Sequence, residues 1–151
     1  MKKVKQKYPK FKSVKLDLQI YNIKQRFPSF KFLKNKTETY WIGKLKPSIN
    51  SCTYTVKIIY NCKKSPKVFV LKPTILKQSP HTYLDGSLCL YYPCDKDYNN
   101  KLSIIANTII PWTSEWLYYY ELWLESGVWW GPEAPHKQGS IKRLDKMEEF
   151  S

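Results

Sequence analysis

The sequence predicts an α+β fold, with an N-terminal helix, a four-stranded antiparallel meander and C-terminal helices. Three observations predict it. Leu16, Ile20, Ile23 and Phe27 recur at spacings of four, three and four, the repeat of one helical face. The run CTYTVKIIY at 52–60 alternates apolar and polar residues, the repeat of a strand with one buried face. Trp116, Tyr119, Tyr120, Trp123 and Leu124 then return to helical spacing as one broad stripe, and such a stripe belongs to a core. Strands followed by helices place the helices on one face or end of an antiparallel sheet.

The first helix is expected over about Val14 to Phe27. Gln19, Asn22, Lys24, Gln25 and Arg26 fill its polar face, and Pro28 ends it by excluding helical geometry from the residue before it. Val14, Leu16, Leu18 and Ile20 also alternate, so a strand is the competing reading of that start. Strands are expected at 38–45, 52–60 and 67–73, the last bounded by Pro66 and Pro73. The run SLCLYY at 87–92 reads as a short fourth strand or an extended segment. Short connections between them imply antiparallel neighbours. The apolar run at 102–110 reads as a helix stopped by Pro111. A second helix, Ser114 to Ser126, takes Thr113 or Ser114 as N-cap, Glu115 in its first turn and Gly127 just past its end. GVWWGPEAPH reads as irregular chain pinned by two tryptophans, and residues 137–151 as a loose polar tail.

The 151 residues fit one domain with a basic segment at 1–13, long enough to bury roughly two-thirds of its unfolded surface. Hydrophobic residues make up 42% and aromatic ones 16%, which excludes a disordered chain despite a net charge of +14. Residues 1–15 hold seven lysines and no acid. No apolar stretch follows them as in a signal peptide. The most apolar region is interrupted by Asn107, Pro111, Glu115 and Glu121, short of a membrane span. The charge raises nucleic acid as a partner, but no arginine-rich or RNP-type motif accompanies it. A solvated lysine face is the preferred reading. The four cysteines form no CxxC pair and the two histidines lack zinc-finger spacing. No metal or cofactor is expected, and the expected compartment is the reducing cytoplasm. Cys52 and Cys62, at the ends of a strand, read as packing residues.

Cys89 is different. Taken alone, a cysteine in an apolar run is a packing residue. Here Asp85-Gly86 forms a turn signal three residues before it, and turns lie at the surface. His81 and Tyr83 precede it closely. A catalytic thiol needs such access and a neighbour that orients it.

These residues resemble the ubiquitin-conjugating (UBC-like) enzyme fold. Its pattern is a helix, a four-stranded meander, a proline-rich turn, a His-Pro-Asn motif, an Asn/Asp-Gly-x-Ile/Leu-Cys-Leu segment, then helices. YTVKIIY…SPKVFVLKP is similar to the strand-to-proline passage, His81 stands at the motif histidine, and DGSLCL matches the active-site segment. The resemblance implies that Cys89 is the thioester-forming cysteine, that His81 holds the active-site loop rather than acting as a base, and that Asp85 and Gly86 shape the turn before the thiol. Tyr98 takes the place of the tryptophan usual after the cysteine. WIGKLKPS, LCLYYP and YYELWLESGVWWG further resemble the bacterial branch of anti-phage CBASS operons. There the ubiquitin-conjugating-like protein handles the C-terminus of a cGAS-like nucleotidyltransferase. With only five glycines and no nucleotide-binding loop, the chain needs a separate activating enzyme or an activated substrate.

The chain departs from the family pattern where His81-Thr82-Tyr83 replaces the motif. Tyr83 stands in place of the asparagine that supports the oxyanion or the loop. Either ordinary lysine conjugation is absent or another donor takes that role. Asp95, Asp97, Asn99 and Asn100 are further donors or acceptors near an incoming amine. Cys94 is an ordinary loop thiol or a disulfide partner of Cys89, and His136 could fold back from the tail. The rival to an acyltransferase is a non-catalytic adaptor of the same fold, its lysines docking an acidic partner.

Overall fold

The computed structural model describes residues 14–90 and 98–132. Helix α1 spans Leu16–Arg26. Asp17 in its first turn and Lys24 and Arg26 in its last complement the helix dipole. Ile23 is buried, and Leu16, Ile20 and Phe27 pack against the core. Gln19 departs from the expected polar face: it is 1% exposed. It lies four residues before Ile23, on the buried side, and its amide is satisfied there. Its Nε2 donates to the Ser103 carbonyl at 3.0 Å and its Oε1 accepts from the Ile105 amide at 2.8 Å.

Four antiparallel strands follow in the order β1-β2-β3-β4: Lys31–Lys34, Thr39–Leu45, Tyr54–Ile59 and Lys67–Lys72. The meander is as expected in strand number, but its members differ. The additional strand is β1, a Lys-flanked Phe-Leu pair too short for alternation to declare it. It turns into β2 through Asn35, whose Oδ1 accepts the Thr37 and Glu38 amides at 2.9 and 2.7 Å. Residues 87–90 are not a strand. Their pairing is confined to an isolated Thr82–Leu88 bridge, and the Leu88 amide bonds to the Val68 carbonyl at 2.9 Å.

One sheet face, with Trp41, Gly43, Leu45, Tyr54, Val56, Ile58 and Val68, is buried. Gly43 is required by close approach, since a Cβ there would lie 2.2 Å from the Phe30 ring. The helical region differs from expectation. A single helix, α2, runs Ile109–Ser126 after a 3-10 turn at Ile105–Asn107. Pro111 does not stop it: Pro111 is the third helical residue, where a missing N–H removes no intrahelical bond. Neither Thr113 nor Ser114 is an N-cap. Thr113 is buried and its Oγ1 donates to the Ile109 carbonyl at 2.7 Å, and Glu115 lies beyond the first turn. Gly127 closes the helix in the left-handed region, φ 73°, its amide bonded to the Trp123 carbonyl at 2.8 Å.

Ile109, Ile110, Trp116, Leu117 and Tyr120 of α2 enter the same core cluster as the sheet. Of the aromatic stripe, Tyr119 and Trp123 are half-buried and Leu124 is exposed. Glu121 ties α2 to the sheet, accepting from Ser51 Oγ at 2.7 Å and Tyr54 OH at 3.1 Å. Burial, then the Cys52 thiol and the Glu121 carboxylate, push the Tyr54 phenol well above its usual pKa. Cys52 and Cys62 are exposed rather than packed, because both sit beyond the ends of β3 where the chain leaves the sheet.

Candidate active site

The chain leaves β4 through a cis Lys72–Pro73 peptide and is then suspended from α2. Tyr120 OH accepts the Leu76 amide at 3.1 Å. Ser79 Oγ donates to the Leu76 carbonyl, and Thr82 Oγ1 to the Ser79 carbonyl at 3.0 Å. Ser79 and Pro80 are buried, which delivers His81 to the core edge. His81 has a φ of 53°, a left-handed backbone that non-glycine residues seldom adopt.

The His81 carbonyl accepts two hydrogen bonds, from the Cys89 amide at 2.8 Å and from Trp116 Nε1 at 3.2 Å. Its ring packs against Trp129, centroids 5.0 Å apart. Trp129 in turn lies against Trp116 and Tyr119 at 5.5 and 6.0 Å. The tail tryptophan thus backs the His81 segment, while Trp130 is 65% exposed. Trp129 Nε1 is buried with no acceptor among the described residues.

Between His81 and Cys89 the chain makes a tight turn. The Gly86 amide bonds to the Tyr83 carbonyl at 2.9 Å, and the Tyr83 amide to the Ser87 carbonyl at 2.8 Å. Gly86 has a φ of 88°, a value that favours glycine. Asp85 locks the turn. Its Oδ2 accepts from Lys67 Nζ at 2.7 Å, and its Oδ1 from the Ser87 hydroxyl and amide at 2.6 and 2.9 Å. The Lys67 ammonium, and after it the Ser87 hydroxyl and amide, hold the Asp85 carboxyl well below the usual carboxylate range. Tyr83 is 56% exposed at this turn. Past it, Ser87 and Leu88 are buried, and Cys89 is half-buried.

His81, Tyr83, Asp85, Gly86 and Cys89 therefore belong to one hydrogen-bonded loop beside β4. Tyr98 packs against the core, with its hydroxyl 3.4 Å from Gln19 Nε2. Asn99 closes its own turn on the Lys101 amide at 2.9 Å, and Asn100 Nδ2 donates to the Cys62 carbonyl at 3.2 Å. Cys94, Asp95, Asp97 and His136 lie outside the described residues. Among the described residues no group of three or more His, Cys, Asp or Glu could hold a metal. Sequence reasoning missed Lys67, Ser87, Trp116 and Trp129 as parts of this loop's support. Trp116 carried the one readable signal, since a buried indole N–H needs an acceptor.

A helix, an antiparallel meander and a half-buried cysteine on a braced turn are common to many unrelated chains, so the family comparison is decisive. The model of the type II CBASS E2 protein family matches residues 19–137. The chain belongs to this family. It is a CBASS E2-like protein of anti-phage defence, and that context implies partners encoded in the same operon. The matched stretch runs from Gln19 of α1 through the four strands, the His81–Cys89 loop and α2. No curated protein matches the chain. Among the described residues, no helix of this CBASS E2 protein is long and apolar enough to cross a membrane.

Proposed function

We propose that the chain is a ubiquitin-conjugating-like acyltransferase of UBC-like fold, with Cys89 as its nucleophile. The observation that carries the reading is the setting of Cys89. Cys89 is half-buried on a loop fixed on one side by β4 and on the other by α2, as a positioned and accessible nucleophile requires. The substrate is a protein C-terminal carboxyl already activated elsewhere, as an acyl-adenylate or a thioester. The Cys89 thiolate attacks its carbonyl carbon, the C–S bond forms, the bond to the leaving group breaks, and the thiol proton passes to solvent. In a transfer step an amine forms a C–N bond at the same carbon, loses its proton, and returns Cys89 as thiolate. The donor is the C-terminus of a cGAS-like nucleotidyltransferase from the same operon, and cytoplasm is the compartment.

His81 serves through its backbone: its carbonyl holds the Cys89 amide. Asp85 and Gly86 fix the turn, and Tyr83 presents an exposed side chain at the motif asparagine's place. That replacement is also what favours an adaptor of the same fold as the second reading, since the usual oxyanion-supporting amide is missing.

The test is intact mass under non-reducing conditions after co-expression with the operon neighbours, comparing wild type, Cys89→Ser and Cys89→Ala. The expected result is a thiol-labile adduct on wild type, a stable ester on Ser and none on Ala. The adduct mass identifies the donor. No adduct in any sample, with the neighbours present and active, would replace this reading with the adaptor.

A further inference from the structure

We infer that Trp116 is a positioning residue for Cys89, acting through the backbone carbonyl of His81. The inference rests on the proposed role of Cys89 and adds a residue to it from the middle of α2. A carbonyl oxygen has two lone pairs, and at His81 both are engaged, one by the Cys89 amide at 2.8 Å and one by Trp116 Nε1 at 3.2 Å. The indole N–H therefore bears on the same atom that holds the cysteine. It does so at a residue whose left-handed backbone, φ 53°, persists only where the surroundings over-determine it.

Those surroundings are closely packed. Trp116 is 4% exposed and stacks on Tyr120 at 5.4 Å and 14°. Tyr120 itself holds the Leu76 amide upstream of His81. Trp129 closes the arrangement, touching both the His81 ring and Trp116. A tryptophan that merely filled core volume would need any acceptor. This one takes the carbonyl that carries the Cys89 amide, and it is mounted on a helix, which places groups more exactingly than a loop.

The test removes the N–H and keeps an aromatic side chain. Amide exchange is followed residue by residue in wild type and Trp116→Phe, alongside the rate of thioester formation with the operon neighbours present. Incorporation of benzothienylalanine at position 116, isosteric with tryptophan but with sulfur in place of N–H, repeats the measurement if Phe at 116 fails to fold. The expected result is roughly tenfold faster exchange of the Cys89 amide relative to the core amides of Val56 and Ile58, the effect of about one hydrogen bond. Thioester formation slows in parallel. Equal acceleration of all three amides, or none, assigns Trp116 to packing alone and overturns the inference, whether or not wild type forms a thioester. Conversely, wild type that forms no thioester overturns the role of Cys89, and the exchange data stand separately from that failure.

Discussion

Asp85 shows how much a single exposed side chain can organise. It gathers Lys67, the Ser87 hydroxyl and the Ser87 amide, and so fixes the turn from which Cys89 emerges. The sequence made the turn legible, because Asp-Gly is a turn signal. It did not reveal the lysine, which lies in β4, eighteen residues upstream. Since the folded-state pKa of Asp85 is lowered, its contribution is fully present above the unfolded value, roughly pH 4. It is lost as pH falls through the folded value. The thermal midpoint of wild type should therefore fall more steeply than that of Asp85→Asn on acidification below about pH 4. Equal slopes in the two melting series would remove Asp85 from the acid response. The difference should be small, because the pair is solvent-exposed.

Among the elements, α2 and β1 mark where pattern reading succeeds and fails. The aromatic stripe and Gly127 were readable as a helix and its end, because both are local properties. Pro111 misled, because a proline inside a run of apolar residues has the same sequence signature at a helix's end as in its first turn. What decides between them is where the hydrogen-bonded ladder begins, and here the Trp112 amide already bonds to the Thr108 carbonyl at 2.9 Å. Two substitutions separate the cases by urea denaturation. Gly127→Ala places a Cβ in left-handed backbone and should cost about 1 kcal/mol. Pro111→Ala should change stability by less than about 1 kcal/mol, because the residue needs no intrahelical donor. Strand β1 escaped notice since a four-residue run with one half-buried side chain, Phe32, among exposed ones is too short to show a period. Its pairing with β2 is what makes it a strand.

For the whole molecule, Gln19 is the informative contact. It joins α1 to the segment before α2 across more than eighty positions of sequence, through Ser103 and Ile105. Gln19→Leu leaves a buried amide without an acceptor and should cost about 1–3 kcal/mol. Gln25→Leu, on the exposed side of α1, should stay within about 0.5 kcal/mol. Denaturant melts of the two variants check the contrast, and equal losses would deny Gln19 its tethering role. The α+β class, three of the four strands, the span of α1 and the DGSLCL turn were legible in the chain, because periodicity, proline and glycine act over a few residues. The burial of Gln19, the exposure of Cys52 and Cys62, and the convergence of Trp116, Trp129 and Lys67 on the Cys89 loop came from folding alone. Those outcomes depend on which distant backbone atoms a side chain meets, and hydrogen bonds across such separations leave no period in the chain.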